Sequence, residues 1–368
     1  MEDHRAEVVE LEIFEHEGAD KLQLARPMGT DWISVVGKGQ FQTGDLAIYI
    51  PIDSIVPCEF VEKYLANSKI KLTKNRIRSV KIRKVISQGL LVPAGPHHQL
   101  GQDVTDELGI VKYEPPAANY QNNNQPKIPK KKKKFVAYVD AQFPKYTHIR
   151  NHKNFKGAIK EGTEVVILEK IHGTNFRCSL LYVGGFKKPW YRKIWDKICG
   201  KDEKWRFTVG SHNVTKWHPD KTYHRAAIKT HLNELGEEWN GYIFYGEIYG
   251  HGIQELSYGV TPGDIKLAIF DIMLLNELGQ ANYLPWCEVQ SICERLHLET
   301  PPELYIGPWN DDLVKLADGQ SRVKGAKHHR EGFVVKPLSE SWHPSVGRLI
   351  LKRISDTYLL GKGRTDFH

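Results

Sequence analysis

The sequence predicts an α+β chain in two parts, a small all-β barrel followed by a larger domain of strands and helices. Three observations predict it. Residues 8–92 hold short apolar runs separated by turn signals. Residues 114–134 (EPPAANYQNNNQPKIPKKKKK) hold almost nothing to bury. Beyond them come strand-like apolar runs that carry single lysines and carboxylates, with one clear helical stripe. The expected division is a barrel over 1–112, a linker over 113–134 and a second domain over 135–368.

The front runs are VVELEIF, KLQLA, WISVV, LAIYIPI and a last one from Val80 to Val92. In the first, Val9, Leu11 and Ile13 alternate with Glu10 and Glu12, as in a strand with one wet face. About five strands in roughly 110 residues suit an OB-fold. The stretch Lys69–Lys84 (KIKLTKNRIRSVKIRK) alternates cations with aliphatic residues. Lys74, Arg76, Arg78, Lys81 and Arg83 are expected either to lie along a duplex backbone or to form a solvated basic strand.

In the second domain, Val165 to Leu168 form a buried strand that ends at Lys170 within EKIHGTNFR. A lysine acts as a nucleophile only after losing its proton, so it belongs in a sheltered site near other cations. Gly173 lets backbone approach a ligand closely, and Thr174 and Asn175 add polar groups. YIFYGEIYG (Tyr242–Gly250) and KLAIFDIM (Lys266–Met273) read as half-buried sheet edges, the first bearing Glu247, the second Phe270 and Asp271. A lone carboxylate in so apolar a strand must be hydrogen-bonded, and Phe270 offers a face for a purine. REGFVVKP brings Glu331 and Lys336, and RLILKR brings Lys352. Carboxylates that hold a magnesium ion and cations around phosphates are what phosphoryl transfer needs.

Taken together, KIHGTNF, YGEIYGHGIQ, IFDI, EGFVVKP and LILKR resemble motifs I, III, IIIa, IV and V of the covalent nucleotidyltransferases. The likeness is to the RNA ligase 2-like family of ATP-dependent RNA ligases, over about residues 140–356. KIHG, with His172, is a common form of motif I in that family. The resemblance implies an ATP-grasp-like adenylyltransferase domain of packed antiparallel sheets with flanking helices, which uses ATP and Mg2+ or Mn2+. Lys170 would form a lysyl-adenylate, the adenylate would pass to an RNA 5′-phosphate, and a 3′-hydroxyl would then displace AMP. Carried over, Glu247 binds ribose and metal, Phe270 stacks on adenine, Glu331 organises the metal and Lys352 meets the α-phosphate. Glu169, Ile171, His172, Gly173 and Asn175 line the nucleotide pocket.

Two positions depart from the family pattern. In TVGSHNVT, His212 stands where an arginine is usual, and Ile354 stands where motif V often has a second lysine. Protonated His212 would replace the arginine in part, and Lys336 or Arg150 would supply the missing cation. Only 16 residues follow Lys352, too few for a barrel behind the motifs. An OB-like module in front, with KIRKVISQGLLVP, resembles the Deinococcus-type and Naegleria-type subgroup of nick-sealing RNA ligases. The expected activity is therefore sealing of 3′-OH/5′-phosphate breaks in duplex RNA. The alternatives are an RNA end-sensing protein with damaged chemistry, or a DNA ligase or guanylyltransferase using the same lysine.

Composition agrees. The chain has 368 residues, a formal net charge of +8 and a pI near 9.0, which suits a polyanionic partner. Its five cysteines are odd in number and form no CxxC pair, so neither a disulfide framework nor a zinc site is expected. No signal peptide or membrane span is evident, and a soluble intracellular monomer is expected. The lysine run 130–134 reads as a solvated linker. Residues 187–205 read as an amphipathic insert or a base-stacking surface, residues 285–296 as a structural helix, and His97, His98, His328 and His329 as surface histidines.

Overall fold

The computed structural model describes residues 4–66, 68, 70–113, 139–184, 204–216, 219–276, 280–361 and 364–365. The expected linker beyond residue 113, the lysine run and nearly all of 187–205 lie outside them.

The alternation in VVELEIF gives the long strand Glu7–Glu15, which buries Val9 and Leu11. It is the middle of a five-stranded antiparallel sheet in the order Ser34–Gly37, Leu22–Pro27, Glu7–Glu15, Leu46–Ile50, Leu90–Pro93. Gln88 N donates to Ile33 O at 2.7 Å and Val35 N to Ser87 Oγ at 3.0 Å, so the outer strands meet and the sheet curls into a barrel. The run Val80–Val92 is not one strand. It breaks into a hairpin, Val80–Ile82 with Val85–Ser87, and the barrel strand Leu90–Pro93. Gly89 sits at the break with φ +84, where any Cβ would run into the Tyr49 ring.

Behind it stand two sheets. One has five strands, in the order Arg150–Asn151, Leu351–Ile354, Gly332–Pro337, Glu164–Glu169, Glu303–Pro308. The other has six, in the order Thr215–Lys216, Trp205–Gly210, Thr174–Tyr182, Tyr242–Gly250, Ile265–Leu275, Ala281–Tyr283. Strand alternation splits the residues of the first sheet between its faces. Val165, Ile167, Phe333, Val335 and Leu351 share one cluster, whereas Val166 and Leu168 join the core of the six-stranded sheet. The strands expected as edges are central instead. Tyr242–Gly250 lies between Thr174–Tyr182 and Ile265–Leu275, and its residues are buried on both faces. The helix Trp286–Arg295 begins after Pro285 and buries Trp286, Val289 and Cys293.

Barrel and sheets share an apolar cluster. Val9, Leu11, Trp32 and Tyr49 of the barrel lie in it with Ile171, Tyr258, Ile354 and Tyr358. Polar bonds reinforce the junction: Trp32 Nε1 donates to Asn154 Oδ1 at 2.5 Å, Arg353 Nη1 to Asp31 Oδ2 at 2.9 Å, and Lys153 Nζ to Asp356 Oδ1 at 2.7 Å and to Gln88 Oε1. His98 is buried rather than on the surface: its Nδ1 accepts from Gly95 N at 2.9 Å. His328 is half-buried, edge-on to Tyr258 at 4.6 Å, whereas His329 is exposed.

Candidate active site

The strand Glu164–Glu169 delivers Lys170 to the gap between the two sheets, and Lys170 N donates to Gly332 O at 3.0 Å. The turn that follows lies so close to Tyr242–Gly250 that a Cβ on Gly173 would overlap Ile248 O and come within 2.9 Å of Glu247 Cγ. Lys170 Nζ donates to Glu331 Oε1 at 2.7 Å. The other oxygen, Glu331 Oε2, is 3.6 Å from His172 Nδ1, buried and without a hydrogen-bond partner. Asn175, opposite Glu247 in the ladder, likewise has a buried Oδ1 without a partner. Buried polar atoms are rarely left so, and these two mark a place where a polar ligand completes the bonding.

Two carboxyls face this place with opposite tendencies. Burial works to raise Glu331, but Lys170 and His172 hold it down at about 2. Glu247 is pushed up to about 8: loss of water raises it, Lys170 opposes, Glu331 raises it further and the Gly173 N–H opposes. Environments that separate two carboxyls in this way give one a permanent charge and the other a titratable one.

His172 is propped from below. Its N–H donates to Tyr258 Oη at 2.6 Å, and its Nδ1 lies 3.4 Å from Tyr358 Oη. Tyr258 is fully buried and takes the left-handed backbone, φ +54, that a bulky residue adopts only when its surroundings impose it. Neither tyrosine is marked by any sequence pattern. Phe270 owes its position to a bulge: Tyr245 pairs with Asp271 and Gly246 with Ile269, which leaves Phe270 as the extra residue. Phe270 and Asp271 therefore both reach Tyr146, the ring at 5.0 Å and the carboxylate at 2.8 Å from its hydroxyl.

Several other expected site residues are held by contacts of their own. Glu169 accepts from Ser321 Oγ and from Arg322 N at 2.6 Å, so its carboxylate anchors a loop. Ile171 faces the cluster shared with the barrel. Lys336 is buried and donates to Asp271 at 3.0 Å, and Arg348 meets the same carboxylate at 2.7 Å. Arg150 pairs with Leu351 and stacks over Phe155 at 5.4 Å, on the face of the sheet opposite Lys352. It does not supply the cation absent at Ile354, which is itself packed in the apolar cluster. Lys352 is buried in its strand, opposite Val334. His212 is half-buried, and burial, with His148, Lys145 and Arg177 nearby, lowers its tendency to protonate.

In the barrel, Arg76 and Arg78 leave the expected cationic row. Arg76 is buried against Asp53, with its Nη2 on Arg364 O at 3.0 Å, and Arg78 Nη2 donates to Gly361 O at 2.9 Å. His97, His98 and Glu107 bring possible ligand atoms within 4.8 Å of one another. The bond from Gly95 N to His98 Nδ1 puts that ring's proton on Nε2, aimed at Glu107 Oε1 at 3.1 Å, while His97 Nε2 stands 3.6 Å from the same oxygen.

Residues 163–354, more than half of the chain, match the family model for RNA ligase, and residues 8–94 match an OB-fold domain. The chain belongs to the RNA ligase family. This RNA ligase is similar in structure to Naegleria gruberi RNA ligase over 98% of its own length and 99% of the other chain. The variant with AMP and Mn gives 25% identity and a TM-score of 0.71, and an apo variant 25% and 0.70. A variant with ATP and Mn, at 24% identity and a TM-score of 0.70, has the same fold. No helix among the described residues is long and apolar enough to cross a membrane.

Proposed function

We propose that this RNA ligase uses ATP to join a 3′-hydroxyl to a 5′-phosphate at a break in duplex RNA, in the service of RNA repair, by way of a lysyl-adenylate on Lys170. The observation that carries the reading is the Lys170–Glu331 contact of 2.7 Å beside two buried oxygens that lack partners. The ATP, AMP and Mn complexes of the Naegleria relative support the choice of nucleotide.

Deprotonated Lys170 Nζ attacks the α-phosphorus of ATP, the bond to the β-phosphate breaks and pyrophosphate leaves. An RNA 5′-phosphate oxygen then attacks that phosphorus and releases the lysine, and the 3′-hydroxyl attacks the activated 5′-phosphorus and releases AMP. Glu331, held at about 2, is too weak a base to take the lysine proton; it keeps its charge and orients the amine. Phe270 offers its ring to adenine, Glu247 its carboxyl to ribose, and Lys352 its ammonium to the α-phosphate. The donor set fits Mg2+ or Mn2+, since Glu331 keeps a negative charge with one oxygen unused and Glu247 needs a cation to ionise. Such an ion neutralises charge on the phosphates.

Incubation with labelled ATP or GTP and Mn2+ should leave label on the protein with ATP alone, and Lys170→Met should abolish it. An adduct in that variant would show that another residue is the nucleophile. Sealing should occur on nicked duplexes with RNA at the 3′-hydroxyl; closure of DNA junctions only, or a GTP adduct, points to a DNA ligase or a guanylyltransferase. Two observations favour a second reading, RNA end-sensing without chemistry: the site lacks a cation at Ile354 and holds His212 toward neutrality. Absence of an adduct with either nucleotide selects it.

A further inference from the structure

We infer that the segment 71–84 of the barrel grips the phosphate backbone of duplex RNA through the turn of its hairpin, an inference that rests on the sealing reading above. Lys71, Lys74, Lys81, Arg83 and Lys84 are all exposed. None has an ion-pair partner among the described residues, although elsewhere on the barrel Arg5, Arg26 and Lys38 meet Glu7, Glu12 and Glu15. A cluster of unpaired cations on one short segment is the electrostatic footprint of a polyanion site.

The backbone adds an independent observation. Among the described residues eight that are not glycine have positive φ, and four of these are Lys74, Asn75, Arg83 and Lys84, at +55, +55, +48 and +74. Arg83 and Lys84 form the two-residue loop between Val80–Ile82 and Val85–Ser87. A loop with both residues left-handed strongly favours Asn-Gly, and cationic side chains there strain the backbone. The segment thus keeps charge at its tip at the expense of local stability, as happens where a side chain has work beyond the fold.

Arg76 and Arg78 supply rigidity. Their bonds to Arg364 O and Gly361 O tie the segment to the chain just beyond Tyr358, whose ring packs at 5.7 Å against His172, two residues from the nucleophile. The cationic tip is thereby held in a set relation to the chemistry, as a clamp on the flank of a nick must be.

The decisive variant is Arg83→Asn with Lys84→Gly, which installs the preferred turn and removes two charges. Its melting temperature should rise, ATP labelling of Lys170 should match the parent, and its affinity for a nicked RNA duplex, measured without ATP, should fall roughly tenfold at moderate salt. The slope of log affinity against log salt should become shallower by about two, roughly one for each lost cation. A stable variant with the parent's affinity and salt slope overturns the inference. So does equal loss for a neutral RNA analogue, which would point to lost shape rather than lost charge. Because binding is read without nucleotide, a parent that fails to label with ATP defeats the sealing reading and leaves this measurement able to decide on its own.

Discussion

The hydroxyl of Tyr258 supports the main chain of motif I at a single point, the N–H of His172, and this gives it an effect out of proportion to one bond. Tyr258→Phe keeps the ring against Tyr249 and His328 but removes the acceptor. Under the proposed chemistry, adenylylation of Lys170 should slow by about tenfold or more, because loss of orientation acts on the attacking amine. Joining of RNA already carrying a 5′-adenylate, which does not use that amine, should be nearly unchanged; equal losses in both assays would refute a positioning role. Glu247 gives a pH prediction. Its carboxyl rises from 4.5 in the unfolded chain to about 8 in the fold, so its ionisation opposes folding as pH climbs through that interval. The melting temperature of the nucleotide-free protein should carry a downward component between about pH 4.5 and about pH 8, and Glu247→Gln should flatten it. Glu331 acts in the opposite sense: its stabilisation is complete above 4.5 and lost as pH falls toward 2. Lys170, Glu247 and Glu331 stand out in the sequence because charge inside an apolar run is conspicuous. Tyr258 does not, because it lies in a loop with no periodicity and its role depends on a residue 86 positions away.

Among the elements, the strands with clear alternation or long apolar runs were legible, and Tyr242–Gly250 coincides with its sequence segment. Their place in the sheet was not, since an isolated run carries no record of its neighbours, and two strands that read as edges are interior. The bulge at Phe270 was equally hidden: it depends on the register of Tyr242–Gly250 against Ile265–Leu275 rather than on composition. The turn after Lys170 is the element most sensitive to a single atom. Gly173→Ala would press a methyl group onto Ile248 O and Glu247, and should cost about 1–3 kcal/mol, read as a lower melting temperature together with weaker ATP labelling. Unchanged stability would mean that the turn has room to move.

At the scale of the whole molecule, the barrel and the sheets are joined by contacts no local pattern announces, such as Arg353 with Asp31, 322 residues apart. His152 lies buried within this junction, 3.4 Å from Arg353 Nη1, and burial first, then Arg353, lower it to about 4. A histidine that must stay neutral in the fold contributes stability above about pH 6.5 that is lost as pH falls toward 4. The junction should therefore loosen in mild acid, and His152→Gln should show a shallower decline in melting temperature across that range. Lys153→Met leaves Asp356 with Gln88 Nε2, at 3.1 Å, as its donor and removes the ammonium from both Asp356 and Gln88 Oε1, at a cost of about 1–2 kcal/mol measured by denaturant unfolding. The apolar cluster that holds Val9 and Leu11 together with Ile171 and Ile354 bears on how such a ligase can be altered. A front module transplanted from a distant homologue would arrive with the wrong knobs for these holes, and the first symptom would be a crooked motif I rather than a weaker grip on RNA.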